Sequence, residues 1–353
     1  MIDFPETGKI QDEFLKANIY PFTGVNRPEI NIGPAYGVDV SIVDLPSGFA
    51  MALTSDPLSL IPTLGLEESA WLSVHLMAND MATTGKPPMY SQFVLNLPAD
   101  ISTSVFNIYW QHIHSICSKI GVGITGGHTG RFEGINSTIA GGGTMITIAP
   151  RDQLLTSKDA GIDDALIVTK GPALVASSIL SMSFPETVKK YCGKEIQEKA
   201  SELFYETSSL QAGLIADEVN SQTKAITAMH DVTEGGILGA IYEMAVAAGL
   251  GVKVYDDRLP KAPVQESVCA CFDLDPRFCI GAGSMIMATK KGKAEKVIQA
   301  LKNKGIEAFV VGSMTAQKSG MVLIENDVEN KLEHPGTDPY WAAFYKAIKQ
   351  GLK

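Results

Sequence analysis

Three aspartates in the first quarter of the chain, Asp39, Asp56 and Asp80, have the side chains that a divalent cation binds. Magnesium prefers hard oxygen ligands and commonly takes one or two carboxylates together with phosphate oxygens. Asp39 and Asp56 lie at the ends of predicted strands, where turn and cap chemistry is the ordinary role of an aspartate. Asp80 follows Asn79 inside an apolar helical pattern, and both are poor helix formers. A buried aspartate there needs a partner, so the three residues form a candidate Mg²⁺ site.

A glycine-rich stretch, Gly126-Gly127-His128-Thr129-Gly130, follows a predicted apolar strand at 122–125. Because glycine has no Cβ, backbone N–H groups can close on an anion there, and the open end of a buried strand is where α/β proteins usually place ligands. His128 is compatible with three roles: a core histidine, a phosphate-binding group or a proton carrier. The pattern predicts a phosphate loop at the end of a strand.

A second glycine-rich junction runs from His230 to Gly236, between a predicted strand at 225–229 and a predicted helix at 237–248. The N–H groups at a helix N-terminus favour an anion, so this junction also suits a phosphate. Near the N-terminus, Lys9 is the group of comparable interest, although a flexible basic residue is ordinarily solvated surface. The sequence thus contains two candidate anion-binding sites and one basic residue of interest, Lys9.

Strand and helix patterns alternate along the chain, which predicts an α/β or α+β fold. The predicted strands are 38–43, 49–54, 89–97, 122–125, 137–148, 165–169, 225–229, 284–288 and 308–312. The predicted helices are 67–84, 102–120, 196–204, 210–219, 237–248, 294–303 and 340–349. Because a polar stretch after residue 150 precedes a new buried strand, we expect two domains, 1–155 and 156–353.

The composition argues against several classes of function. With 29 Lys and Arg against 39 Asp and Glu, the net charge of −10 provides no basic field for nucleic acid or an anionic membrane. No apolar run reaches the roughly 18 residues that span a bilayer, and the first residues lack a secretion-signal pattern. The five cysteines form no even disulfide framework, which fits a reducing compartment. We therefore expect a cytoplasmic globular protein that binds neither nucleic acid nor membrane.

Five segments, taken in order, resemble the signatures of one ATP-binding superfamily. They are Gly37-Val38-Asp39-Val40-Ser41-Ile42-Val43, Thr54-Ser55-Asp56, Asn79-Asp80-Met81-Ala82, Gly126-Gly127-His128-Thr129 and His230-Asp231-Val232-Thr233-Glu234-Gly235-Gly236. The superfamily includes aminoimidazole ribonucleotide (AIR) synthetase, selenophosphate synthetase, thiamine-monophosphate kinase and the hydrogenase maturation protein HypE. The resemblance covers nearly the whole chain, and five ordered motifs are more specific than any single one. It implies a two-domain PurM-like fold, in which the N-terminal mixed sheets of two protomers pair into a barrel and the C-terminal domain is an α/β sandwich.

The resemblance also implies roles for individual residues, with ATP and Mg²⁺ as the cofactors. The implied metal ligands are Asp39, Asp56 and Asp80. The implied ATP-binding residues are Asp39, Thr54, Asp56, Asn79, Gly126, Gly127, Thr129, His230 and Asp231. The candidate catalytic residues are His128, Asp80 and Lys9.

Within the superfamily, the pattern is most similar to HypE and its relatives. Two departures are visible: Val38 stands where that branch usually has a second acid, and His128 replaces an aspartate, as in selenophosphate synthetase. HypE proteins end in a cysteine that receives a carbamoyl group, whereas the last cysteine of this sequence is Cys279. We therefore do not expect chemistry on a C-terminal thiol.

The implied function is ATP-dependent phosphorylation of an oxygen on an unknown acceptor by a homodimer related to hydrogenase maturation. Two alternatives remain open. One is a nucleotide-binding partner of another maturation protein, without catalysis. The other is a small-molecule kinase similar to thiamine-monophosphate kinase.

Overall fold

The computed structural model describes residues 8–10, 12–58, 60–134 and 140–353. Within them the chain forms two mixed β-sheets flanked by α-helices, which is the predicted fold class. Part of one predicted strand, residues 137–139, lies outside the described residues. No helix in the described ranges is long and apolar enough to cross a membrane.

The first sheet has six strands in the order β1-β2-β3-β6-β4-β5. The strands are β1 Ile30–Ile32, β2 Ser41–Asp44, β3 Phe49–Pro57, β4 Tyr90–Pro98, β5 Gly123–Phe132 and β6 Ala140–Pro150. The β4 and β5 strands are parallel, and the other neighbours are antiparallel. Since β5 is at one end of this order, its outer side has no strand partner among the described residues.

Two long helices, α2 Leu66–Ala82 and α3 Thr103–Lys119, cover one face of this sheet, and a short helix, α1 Asp12–Asn18, precedes it. The helix α3 begins where the Ser102 hydroxyl accepts a hydrogen bond from Val105 N–H, an ordinary N-cap. The glycine at 143 in β6 allows α2 to approach, because a Cβ there would lie 2.5 Å from Met77 Cε. Close contact between helix and sheet holds the polar residues of α2 against the strand ends.

The opposite face of the first sheet carries apolar side chains that stay open to solvent. Along β4, side chains alternate between buried and exposed, as expected for a sheet covered on one face. Tyr90 and Val94 in β4, with Phe49 in β3 and Ile148 in β6, are 38–45% exposed. Exposed apolar side chains grouped on one face of a sheet often mark an interface.

The second sheet has seven strands in the order β13-β12-β9-β11-β7-β10-β8. The strands are β7 Ala165–Thr169, β8 Ile226–Asp231, β9 Gly251–Tyr255, β10 Met285–Thr289, β11 Ala308–Thr315, β12 Met321–Glu325 and β13 Val328–Lys331. The β9 and β12 strands are parallel, and the other neighbours are antiparallel.

Eight helices accompany this sheet within the described residues. They are α4 Leu174–Ser183, α5 Pro185–Cys192, α6 Lys194–Glu202, α7 Leu210–Thr223, α8 Gly236–Ala248, α9 Pro263–Cys271, α10 Ala294–Lys302 and α11 Pro339–Lys349. Side chains of α8 share a core with one face of the sheet, and those of α7 and α10 share a core with the other. The result is a three-layer sandwich whose β8–α8 junction faces the first sheet.

A buried histidine in α2 makes the stability of the fold dependent on pH. His75 is 4% exposed and its ring lies 3.9 Å from that of Trp71, while its Nδ1 has no hydrogen-bond partner. Burial, with a smaller effect of Lys170, lowers the pKa of His75 to about 4. Because this value is below the ordinary pKa of histidine, the stabilisation is complete above pH 6.5 and is lost as the pH falls towards 4.

Replacing this histidine by a ring that cannot titrate should flatten the pH dependence. We expect the unfolding free energy of wild type to fall by about 2 kcal/mol more between pH 7 and pH 5 than that of His75→Phe. Urea denaturation at the two pH values measures the difference. His114→Asn, at an exposed position of α3, serves as the control and should behave like wild type. Equal pH dependence in His75→Phe and wild type would contradict the assignment.

Candidate nucleotide and metal site

The acidic residues singled out in the sequence converge between the two sheets, at a largely buried site that we call the acidic cleft. Asp56 and Thr54 lie in β3, and Asp80 in α2 accepts a hydrogen bond of 2.6 Å from the Thr54 hydroxyl. Asp39 precedes β2, and Asp231 is the last residue of β8. Asp80 is close enough to Asp231, Asp56 and Asp39 for all three to affect its ionisation. The fold thus gathers carboxylates that are up to 192 positions apart in the sequence, from Asp39 to Asp231.

Within this cleft, three side chains form the tightest group of potential metal ligands. Ligand atoms of Asp39, His230 and Asp231 all lie within 4.8 Å of one another, the one such group found among the described residues. The His230 Nδ1 atom is 3.2 Å from Asp39 Oδ1 and 3.8 Å from Asp231 Oδ1. The sequence grouped Asp39 with Asp56 and Asp80 instead. The difference arises because the β8–α8 junction of the second sheet packs directly against Asp39.

The raised pKa values of the four aspartates indicate that the cleft contains too little positive charge to balance their carboxylates. Burial raises the pKa of Asp39, although His230 and Lys9 oppose the shift. Burial also raises the pKa of Asp80 and Asp231 well above the usual value, and there the neighbouring aspartates add to the effect. Burial also raises the pKa of Asp56 to about 6. One oxygen of Asp39 and both of Asp231 are buried without a hydrogen-bond donor. Buried carboxylates are normally paired or bound to a metal, so these donor atoms fit a cation.

A fifth carboxylate, Glu243 in α8, joins the basic groups around the cleft. Its oxygens lie 3.1 and 3.4 Å from Lys9 Nζ, 3.4 Å from His230 Nε2 and 3.6 Å from His334 Nε2. Burial acts to raise the pKa of Glu243, but the charges of Lys9 and His230 outweigh it and hold the pKa at about 2. Conversely, burial acts to lower the pKa of His230, whereas Asp39 and Glu243 raise it to about 9. Lys9 is therefore an ion-pair partner of Glu243, with 44% of its side chain exposed.

Glu243 was not among the residues singled out in the sequence. It is the single charged residue of α8, whose sequence is otherwise apolar and small. Like Asp80, Glu243 is an acid inside an apolar helix and therefore needs a partner. This was the signal available in the sequence.

Asn79, predicted to contact ATP, uses its amide to join the two halves of the chain. Its Nδ2 donates to Thr207 O at 3.0 Å, and its Oδ1 accepts from Ser209 N–H at 2.7 Å. The side chain is fully buried. In this structure the Asn79 amide therefore links α2 to the segment 207–209 through two buried hydrogen bonds.

Removing the amide should destabilise the contact between the two halves. Asn79→Ala leaves Thr207 O and Ser209 N–H buried without partners, and each unpaired group costs about 1–3 kcal/mol. We expect a loss of at least about 2 kcal/mol of unfolding free energy. Thermal and urea denaturation measure it. Asn18→Ala, which removes an exposed bond within α1, is the matched control and should change stability little. A loss no larger than the control's would show that the amide does not hold the two halves together.

The glycine-rich stretch at 126–130 does not end a strand, which corrects the expectation of a loop. The strand β5 runs through it to Phe132. Gly127 is needed for strand pairing, since it has φ of 144° and any Cβ would collide with the backbone of Phe93. Pairing places Gly127 in register with Phe93, Gly143 and Asp56, three strand spacings or roughly 14 Å from the last.

His128, the next residue along β5, lies on the opposite face of the sheet from Gly127. It is in register with Val94, one of the exposed side chains on the open face of the first sheet. His128, Thr129 and Gly126 are themselves exposed. Within one chain the structure therefore gathers Asp39, Asp56 and Asp80 with His230 and Asp231 but leaves His128 outside this group.

The predicted anion site at the start of α8 is already used by the chain. The Gly235 N–H donates to the Asp338 carboxylate at 2.8 Å. Burial raises the pKa of Asp338 to about 6, although the hydrogen bonds from Gly235 and Tyr340 N–H oppose this shift. The helix N-terminus thus binds a side-chain carboxylate of the protein itself.

Two sheets joined across an acidic cleft define the PurM-like class of α/β proteins. The AIR synthase related protein N-terminal domain matches residues 37–149, and the AIR synthase related protein C-terminal domain matches residues 161–325. The chain belongs to this family, within the PurM/HypE superfamily.

Several of the proteins and structures that this chain is similar to are HypE. A carbamoyl dehydratase HypE of Rhizobium leguminosarum bv. viciae is 24% identical over 294 residues, covering 81% of this chain and 79% of the relative. The crystal structure of HypE from E. coli, a hydrogenase maturation protein, superimposes with a TM-score of 0.70 at 20% identity, covering 92% and 96% of the two chains. A structure of HypE in complex with ATP gives a TM-score of 0.64 at 16% identity, covering 95% and 97%.

Proposed function

We propose that this protein binds Mg·ATP in the acidic cleft and transfers the terminal phosphoryl group to an oxygen of an acceptor molecule. The observation that carries the proposal is the set of buried aspartates with unpartnered oxygens, Asp39 and Asp231, beside Asp56 and Asp80. Such a cluster is unfavourable until a cation neutralises it. Mg²⁺ bound to phosphate oxygens supplies that charge, and the family relationship to an ATP-bound HypE supports the nucleotide.

The residues of the cleft would have different roles in phosphoryl transfer. In this reaction a protein mainly positions the phosphates and neutralises the charge that develops on them. Asp56 and Asp80 would hold Mg²⁺, with Thr54 fixing the orientation of the Asp80 carboxylate. Lys9, whose side chain is 44% exposed, is the ammonium group available to the phosphates.

A homodimer would use the open apolar face of the first sheet. Pairing that face with a second copy would bury Tyr90, Val94 and Ile148 and would enclose His128, which lies beside Val94 in β5. We propose that His128, Thr129 and Gly126 contribute to the nucleotide site only in this assembly. The domain boundary near residue 155, the cytoplasmic location and a maturation-protein partner belong to the same proposal.

Binding and turnover measurements separate catalysis from a purely structural role. Isothermal titration calorimetry with Mg·ATP and a coupled assay for ADP release, with and without a panel of hydroxyl, carboxylate and amide acceptors, should show binding and acceptor-dependent turnover. Absence of binding at millimolar ATP would refute the proposal. Binding without turnover for any acceptor would favour a nucleotide-regulated partner of another maturation protein.

A further inference from the structure

The five cysteines of the chain differ in their exposure to solvent. Cys117, Cys269 and Cys279 are buried, whereas Cys192 and Cys271 are partly exposed, and all five are free thiols. The two partly exposed cysteines are the last residues of two helices that pack against each other, α5 and α9. The thiols that solvent can reach therefore lie at neighbouring helix ends.

Hydrogen bonds bring these two thiols into contact. Cys192 Sγ donates to Ser267 O at 3.3 Å. Ser267 lies one turn before Cys271 in α9, and a helical side chain leans back over the preceding turn, so the Cys271 thiol covers the same part of this helix. There it is hydrogen-bonded to the thiol of Cys192. Because the S–H group of Cys192 already donates to Ser267 O, its sulfur is the acceptor, and the two sulfur atoms face each other.

We propose that Cys192 and Cys271 form a modification site at which a low-molecular-weight disulfide oxidises the pair to a disulfide bridge between α5 and α9. Cys192, as its thiolate, attacks the small disulfide and forms a mixed disulfide, which releases the first small thiol. Cys271, as its thiolate, then attacks the Cys192 sulfur and releases the second small thiol. Two protein thiols are oxidised, one small disulfide is reduced to two thiols, and the two protein S–H protons pass to the leaving thiolates.

The ends of the two helices give the pair room to react. A disulfide brings its sulfur atoms to about 2.05 Å, closer than a hydrogen-bonded contact. The helix α5 ends at Cys192, and apart from its chain neighbours no atom lies within 4 Å of the place that a Cβ on Gly193 would take. The helix α9 ends at Cys271, and the chain continues as a turn. This open space lies beside Cys192, which is why we assign the first attack to that residue.

A second pair of thiols provides a comparison within the same protein. Cys279 is hydrogen-bonded to Cys269, and its Sγ donates to Asp275 O at 3.2 Å. Both cysteines of this pair are 0% exposed. The two pairs are thus alike in contact and differ in access to solvent. Since a small disulfide must reach a sulfur atom to react, we expect Cys269 and Cys279 to stay reduced.

The ionisation of Cys271 affects how fast the bridge forms and how long it persists. Burial raises the pKa of Cys271 to about 11, and Cys192 and Asp273 add to the effect. Because the thiolate is the attacking species, exchange at neutral pH is slow. A disulfide is strongly oxidising where the protein stabilises the reduced thiolate. Cys271 lacks that stabilisation, so the bridge should persist once it has formed.

Thiol mapping after oxidation tests the pair in the full-length wild-type protein, without nucleotide. The protein is incubated overnight at pH 8 with glutathione disulfide, quenched with acid, unfolded, alkylated and digested for mass spectrometry. We expect two of the five thiols to be lost and one pair of peptides to be joined through Cys192 and Cys271. Dithiothreitol should restore all five thiols.

Removing the second thiol separates a bridge from independent oxidation of single cysteines. In Cys271→Ser the mixed disulfide on Cys192 cannot be resolved, so it should be at least about tenfold more abundant than in wild type. Cys117→Ser, at a buried cysteine of α3, is the control and should form the bridge as wild type does. Wild type that retains glutathione on Cys192 or Cys271, a bridge between Cys269 and Cys279 instead, or five unmodified thiols would overturn the proposal. Because ATP is absent, failure of nucleotide binding leaves this result unaffected.

Discussion

Asp80→Asn should reduce ATP-dependent turnover by about 10²-fold or more, because it removes one negative charge from the group that holds Mg²⁺ and the phosphates. The exchange keeps the size of the side chain, and Thr54 can still donate its hydroxyl to the amide oxygen, as it does to the carboxylate at 2.6 Å. The fold should therefore survive, and the loss should appear in the coupled ADP assay and in weaker Mg·ATP binding by calorimetry.

The control for this result is an aspartate of the same half of the chain that does not face the cleft. Asp100, which lies just after β4, is exposed, so Asp100→Asn removes the same charge without touching the site. We expect its turnover to equal that of wild type. If Asp80→Asn and Asp100→Asn behaved alike, the carboxylate in α2 would have no role in the reaction.

Glu243→Gln should lower the unfolding free energy by about 3 kcal/mol, a large loss for a single substitution. Glu243 is 1% exposed beside the equally buried His230, so the exchange removes the buried carboxylate that faces His230 Nε2 and Lys9 and leaves Asp39 as the nearest counter-charge of the ring. Lys9 contributes less to the loss, since its side chain is 44% exposed whereas that of His230 is 1% exposed. Urea denaturation in the presence of a chelator measures the effect on the metal-free protein.

An exposed ion pair provides the matched comparison. Lys253 and Glu329 lie 2.7 Å apart with side chains that are 35% and 65% exposed. Exposed pairs of this kind contribute about 0–1 kcal/mol, so Glu329→Gln should change stability little. Similar losses in the two variants would mean that Glu243 is not a centre of buried charge.

The sequence correctly predicted the helices and strands whose apolar residues recur at regular intervals. The helices at α2, α3, α8 and α11 show apolar spacing or end at glycines, and their bounds in the structure differ from the predicted ones by a few residues. The helix α4 was missed because its residues are apolar or serine on every side, so no stripe separates a buried face from an exposed one. The strand β13 is exposed along its whole length and has no alternation to detect.

The glycines of β5 show why the sequence pattern predicted the end of a strand where the strand in fact continues. Glycine weakens a strand, so a stretch with three glycines in five residues reads as the end of one. In the structure, Gly127 is retained because the backbone of Phe93 approaches too closely for a side chain. That approach is a tertiary contact between β4 and β5, about which the sequence around Gly127 carries no information.

The sequence predicted which residues belong to the acidic cleft better than it predicted which of them lie closest to one another. Asp80 was selected as an acid inside an apolar helix, Asp39 and Asp56 as acids at strand ends, and Asp231 through the family resemblance. Which of them lie closest together depends on how the β8–α8 junction packs against the first sheet, which brings His230 to within 3.2 Å of Asp39. The spacing of apolar residues along the chain carries no information about a contact between residues of two different sheets.

A crystal structure of the protein with Mg²⁺ and a non-hydrolysable ATP analogue would show directly whether the acidic cleft binds Mg·ATP. We predict that the β- and γ-phosphate oxygens reach the cleft through a cation bound by Asp56 and Asp80, with Lys9 directed at the phosphates. The same structure would show whether His128 approaches the nucleotide across a dimer interface. A nucleotide bound elsewhere, or phosphates without a cation at Asp56 and Asp80, would contradict the proposed site.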